Sequence, residues 1–236
     1  MGFGLHGAGF MAGVRLFLKA LGCNVIAWLV YMLLVLFVYF VWIRDWQMNW
    51  GATPTEIYRP MAGDTLLVDP ELDATRVVEV DAPPEDVWPW IVQIGYKRAG
   101  FYGFDKLDNG GEPSAKRILP EYQNLAVGDS IALGGPFLRV VELVENESLL
   151  LVFLKGAGPW EGATWSWGLY ETDEGCTRLV SRLRQAYTFD SFHEVIGWSM
   201  IDAVEILLMR TTLRGIKYRV EELAAAPIRT RGGDVP

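Results

Sequence analysis

The run Ala20–Ile43, "ALGCNVIAWLVYMLLVLFVYFVWI", limits this chain more than any other feature, because it carries no charged side chain over 24 positions. As a helix it would be about 36 Å long, enough to cross a hydrocarbon core of about 30 Å. A secretory signal peptide has a shorter apolar region and then a small-residue cleavage site. Here the run gives way to Trp42, Arg44, Asp45, Trp46 and Trp50, residue types that favour a membrane–water interface. The expectation is a single-pass transmembrane helix over 20–43. Arg15 and Lys19 before it nearly balance Arg44 and Arg59 after it. The closeness of Lys19 to the run fits an N-in orientation, with the rest of the chain outside the cytoplasm.

The flanks differ sharply from the run. Residues 1–19 form a Gly-rich tail in which Phe10, Val14, Phe17 and Leu18 offer an apolar side for the interface, the alternative being a frayed extension. Residues 44–74 are rich in Pro, Gly, Asp and Thr and read as an irregular, surface-running connector. The net charge is −8, and since residues 1–43 hold two basic residues and no acid, the remainder carries −10. An acidic domain repels phosphate backbones, which argues against a nucleic-acid partner. Cys23 and Cys176 read as separate buried thiols.

Residues 75–225 have the pattern of one α+β domain. Val77–Val80 reads as a strand. Pro84, Glu85 and Asp86 suit the start of a helix, which Pro89 should kink or restart. After a loop-rich stretch, strands are expected at Asp129–Leu133, Phe137–Val144, Leu149–Leu154, Thr164–Tyr170 and Thr177–Ala186, with hairpin turns at "ENES" and "ETDEGC". Ser191 and Glu194 have capping-box spacing and open a long helix through Glu222. Its apolar positions include Val195, Trp198, Ile201, Leu208, Leu213, Ile216 and Val220, with Asp202, Glu205 and Arg210 among the charged remainder. Residues 226–236 read as a mobile tail. A curved antiparallel sheet covered by one long helix is the helix-grip layout, and incomplete wrapping leaves a cavity.

The segments "ATRVVEVDAPPEDVWPWIVQIG", "AGFYGFDKLDN", "SAKRILPEYQNLAVGDSI", "TWSWGLYE", "TRLVSRLR" and "LLMRTTLRGIKYRVEE" resemble the bacterial SRPBCC superfamily, also called START-like or polyketide-cyclase-like. The resemblance spans roughly residues 50–223, and "WGATPTEIYRPMAGD" is similar to the lead-in of membrane-anchored relatives. Relatives tend to read GGFYSYDWLEN where this chain has Ala99, Gly103, Phe104, Lys106 and Asp108, so the loop that rims the pocket differs. The superfamily holds lipid carriers, cyclases and hormone receptors. The resemblance therefore implies a pocket and leaves the reaction open.

Candidate site residues follow from position and chemistry. Trp165, Trp167 and Leu169 share one strand face, and Leu179, Ser181 and Leu183 share another. The opposite face, Arg178, Arg182 and Arg184, is expected in solvent, since three unpaired buried guanidinium groups would be prohibitive. Trp88 and Trp90 on the short helix, with Phe101 and Tyr102 on the rim loop, complete the expected ligand-binding set of Trp88, Trp90, Phe101, Tyr102, Trp165, Trp167 and Ser181. The aromatic pairs serve equally as plain core.

Weak catalytic candidates are Asp105, Tyr102 and Glu121, because a carboxylate or phenol facing an apolar cavity is suited to acid–base work. Their alternative role is to pin the loop through Arg98 or Arg117. The two histidines, His6 and His193, fall in the tail and the capping turn. No metal-binding, nucleophile-elbow or phosphate-loop motif occurs, so neither metal nor cofactor is expected. Three functions remain open. The favoured one is a membrane-tethered domain binding a lipid, isoprenoid or other hydrophobic small molecule. The others are an accessory subunit of a membrane protein complex and a cyclase- or hydratase-type enzyme.

Overall fold

A computed structural model of the chain describes residues 5–154, 156, 161–187 and 190–225. It divides into two compact units, Met1–Trp46 and Gln47–Pro236. The expected C-terminal tail, 226–236, lies outside the described residues, as do residues 1–4.

The first unit is helical from Leu5. Helix α1 (Leu5–Val38) leads into one wider π-type turn, Tyr39–Ile43, which Arg44 N–H closes by bonding to Tyr39 O. Helix α2 (Arg44–Met48) follows and runs into the second unit. From Val25 to Phe37, apolar side chains of α1 point outward, including Val25, Ile26, Leu29 and Leu33, with Trp28 exposed to 66%. A helix apolar all round has no polar face to offer water. Asn24–Met48, at a mean hydropathy of 2.5, is long and apolar enough to cross a membrane, and its apolar window is not buried inside the protein.

The second unit is an α+β helix-grip domain. Its strands are β1 (Leu72–Val80), β2 (Ser130–Ala132), β3 (Phe137–Val144), β4 (Ser148–Phe153), β5 (Thr164–Glu171) and β6 (Thr177–Gln185). They form one antiparallel sheet in the order β1-β6-β5-β4-β3-β2. The first strand starts at Leu72, earlier than its apolar run Val77–Val80 indicates, because Leu72, Ala74 and Arg76 also face inward. Asn146 takes a left-handed φ of 62° in the β3–β4 turn, a conformation its short polar side chain tolerates. A bulge between Val140 and Glu142 bends β3.

Three short helices, α3 (Pro54–Ile57), α4 (Pro84–Val92) and α5 (Asp105–Asp108), precede the long α6 (Phe192–Ala225). Ser191 Oγ accepts from Glu194 N–H at 3.4 Å and caps α6. Met209, Leu213, Ile216 and Val220 of α6 bury into the inner face of the sheet. At Gly215 this approach is so close that a Cβ would lie 2.1 Å from Tyr102 O. Helix α4 runs through Pro89 without the restart that was one of the two expected outcomes. Within so short a helix Pro89 forfeits one backbone bond, and five buried residues, Val87, Trp88, Trp90, Ile91 and Val92, hold the segment in place.

The outer face of the sheet corrects a second expectation. The arginines are covered, and Arg182 is only 3% exposed. Residues 50–64, read as part of an irregular connector, cross this face and supply most of the partners, with Asp73 and Thr75 of β1 adding the rest. Arg178 makes a two-pronged bond to Glu56, at 2.7 and 2.8 Å, and a third to Gly51 O. Arg182 uses all five N–H groups: on Thr75 Oγ1, on the carbonyls of Glu56, Ile57 and Arg59, and on Asp64. Arg184 bonds Asp73 Oδ2 and Asp64 O. Thr53 and Glu56 form a full capping box around α3. Burial pushes the Glu56 carboxyl up, but bonds from Arg178 and Thr53 outweigh that and hold it down at about 2.

Candidate functional site

The inner face encloses a cavity of about 270 Å³ between the sheet and α6. Phe153 of β4, Trp165 of β5 and Leu183 of β6 form its floor, with Trp165 directly opposite Leu183 in the ladder. Leu133 and Pro136 close the β2–β3 side, while Phe101, Leu107 and Asp108 come from the rim loop and α5. Helix α6 contributes Glu205, Leu208 and Met209, whose spacing of three and four puts them on one helical face.

The Trp165 ring is fixed in place. Its indole N–H donates to Ser181 Oγ at 2.9 Å, and that hydroxyl donates onward to Met209 Sδ at 3.2 Å. A buried indole needs such a partner, and Ser181 supplies it from the neighbouring strand. Ser181 thus supports the wall from behind.

Two carboxylates interrupt the apolar lining. Glu205 faces Arg76, a fully buried arginine of β1, whose Nη1 donates to Oε1 at 2.7 Å. Nη1 also lies 2.5 Å from Oε2, but without hydrogen-bond geometry, and Oε2 is buried with no hydrogen bond. The remaining Arg76 donors reach Gln47 O and Met48 Sδ. Burial pushes the Glu205 carboxyl up, Arg76 pulls it down, and the nearby Asp202 adds to the rise. At Asp108, burial and then the charge of Asp105 push the carboxyl up. The backbone N–H groups of Phe104 and Asp108 oppose that rise without reaching hydrogen-bond geometry, and both carboxylate oxygens are buried and unbonded.

Of the residues singled out from sequence, Phe101 and Trp165 border this cavity, whereas Trp88, Trp90, Tyr102, Trp167 and Ser181 do not. Trp88, Trp90 and Trp167 fill the core behind it, with Trp167 tilted against Trp165 at 5.1 Å between ring centres. Tyr102 takes a left-handed φ of 64° and is held on all sides. Its N–H donates to Ser114 Oγ, its OH donates to Trp90 O and accepts from Gln93 Nε2, and Arg219 stacks on its ring. Burial raises the Tyr102 phenol well above its usual range. Asp105 accepts from Ser114 Oγ, and Glu121 is exposed on a 3-10 turn, Pro120–Tyr122. Gln93, fully buried, ties these loops together by donating to Tyr102 OH and accepting from Leu119 N–H and Gln123 Nε2.

Sequence reasoning missed Arg76, Gln93, Asp108 and Glu205. The signal for Glu205 was its place on the same turn as Leu208 and Met209, where a charge does not belong on a covering helix.

No family model matches the chain, and no curated protein matches it. Among solved structures, a Thermobifida fusca protein is 16% identical, with a TM-score of 0.44 over 64% of this chain and 94% of that one. A Nitrosospira multiformis protein is 15% identical, with a TM-score of 0.43 over 65% of this chain and 99% of its own. CalU16 from Micromonospora echinospora is 16% identical, with a TM-score of 0.34 over 65% and 86% of the two chains.

Proposed function

We propose that this chain is a membrane-tethered binding domain for a small hydrophobic molecule, held in the cavity between the sheet and α6. The observation that carries the reading is the cavity wall, in which Phe101, Leu133, Phe153, Trp165, Leu183 and Met209 present apolar surface around a space of about 270 Å³. Such a space lies near the lower end of typical ligand pockets, about 300–1,000 Å³. It suits a compact molecule or one apolar arm of a larger one. The tether has its support in the length and outward apolarity of Asn24–Met48. An apolar ligand partitions into bilayers, so a tether keeps the cavity near its supply. Retention of the chain in the membrane pellet after an alkaline carbonate wash checks this part.

Turnover by Asp105, Tyr102 or Glu121 has less support, since Tyr102 and Asp105 are engaged in holding the loop and Glu121 faces solvent. The binding test is a titration of the full chain, in lipid nanodiscs, with 1-naphthalenemethanol. The expected result is saturable quenching of tryptophan emission at one probe per chain, lost in Leu208→Trp, which fills the cavity from α6. Quenching that never saturates, or that survives in Leu208→Trp, overturns the reading.

A further inference from the structure

Resting on that binding reading, the structure assigns the ligand a chemical class: we infer that the cavity takes an apolar molecule bearing a single cationic amine, held by Asp108 and Glu205. The apolar wall alone would accept any oily compound of the right size. The two carboxylates narrow the choice.

A carboxylate in an apolar cavity is costly unless it is paired and hydrogen-bonded. Glu205 is ion-paired with Arg76, whose Nη1 donates to Oε1 at 2.7 Å and lies 2.5 Å from Oε2, a cavity-wall oxygen that itself has no hydrogen bond. Asp108 has less: neither oxygen is bonded, and among the described residues no salt bridge reaches it. Each has a second carboxylate acting on it, Asp105 on Asp108 and Asp202 on Glu205. The wall therefore carries unfilled acceptors and an excess of negative charge. Ionised carboxylates only accept hydrogen bonds, so the missing groups must be donors.

An ammonium meets both needs. It offers up to three N–H donors and a compact positive charge, while the apolar body lies against Trp165, Phe153 and Leu183. A neutral alcohol supplies a single proton and relieves no repulsion. An anion meets the same repulsion that already acts between the carboxylates. The four residues that would set this preference come from three separate places in the chain. Arg76 is on β1, Asp105 and Asp108 are on α5, and Glu205 is on α6.

The test uses the full chain in nanodiscs with three probes of matched shape: 1-naphthylmethylamine, 1-naphthalenemethanol and 1-naphthoate. The expected order is amine over alcohol by at least tenfold in Kd, with naphthoate weakest. Asp108→Asn, which leaves the Arg76–Glu205 pair intact, should cut the amine-to-alcohol ratio at least fivefold. Equal amine and alcohol affinities, or a ratio unchanged in Asp108→Asn, overturn the amine assignment while leaving apolar binding standing. If no probe saturates, the binding reading itself fails and takes this inference with it.

Discussion

The two faces of the same sheet solve opposite problems with charged side chains. On the outer face Arg178, Arg182 and Arg184 are covered by residues 50–64, and every N–H of Arg182 has an acceptor, although Asp64 Oδ1 is buried there without a hydrogen bond. On the inner face Asp108 and Glu205 line a cavity, Glu205 paired with Arg76, and both oxygens of Asp108 and Oε2 of Glu205 lack a hydrogen bond. Buried polar groups in folded proteins are normally satisfied, and what sets the inner-face exceptions at Asp108 and Glu205 apart from Asp64 is that they line a cavity. On the binding reading proposed above, the outer face is scaffold and the inner face is site.

That contrast makes ordered predictions. Arg182→Met should have the largest effect, because it strands three backbone carbonyls beneath the covering segment and removes one of the partners of Asp64. The expected loss is about 3–5 kcal/mol, read by thermal unfolding of the full chain in mild detergent. Wild-type stability in that variant would mean that residues 50–64 leave the face easily, and the contrast would be lost.

Gly215→Ala comes next, at about 2–3 kcal/mol, since the new methyl would meet the carbonyl of Tyr102, itself fixed in a left-handed conformation. Unfolding with near-UV dichroism reads it. A loss below about 0.5 kcal/mol would show that α6 rides on the loop more loosely than this.

Glu56→Gln should cost about 1–2 kcal/mol at neutral pH. The folded carboxyl titrates at about 2 against an ordinary 4.5, so its contribution is full above 4.5 and falls away as pH drops through that window toward 2. Acid titration of stability in wild type and variant checks the sign. The wild type should lose more stability across that window than Glu56→Gln does.

Asp108→Asn carries the smallest expected effect, within about 0.5 kcal/mol and toward greater stability. Its folded carboxyl is raised above the ordinary value of 3.8, so the charged form opposes folding as pH rises. A clear destabilisation would place Asp108 with the scaffold and erase the distinction between the faces.

Much of this layout can be read from sequence. Strand alternation places Trp165, Ser181 and Leu183 inward, capping chemistry starts α6 at Phe192, and the uncharged run marks the one helix among the described residues long and apolar enough for a membrane. The arginine face was misread because its partners, Glu56 and Asp64, lie more than a hundred residues away in a segment without periodicity. A local cue existed in the Thr53–Glu56 capping box, which announces order inside that connector. The cavity's carboxylates were harder to see. Glu205 stands on the apolar side of its helix with Leu208 and Met209, but its partner Arg76 is brought up to it only by β1, more than a hundred residues earlier. Asp108 becomes unusual only when its loop folds over the cavity wall.

The central claim, that the inner face holds a small apolar molecule, is tested most directly by mass spectrometry of organic extracts. The material is the full chain purified in mild detergent, beside Leu208→Trp prepared identically. One compound at one per chain in the wild type, absent from the variant, is the predicted result, and a basic nitrogen in that compound would agree with the carboxylates. A wild-type extract holding only detergent and bulk lipid, indistinguishable from that of the variant, would contradict it.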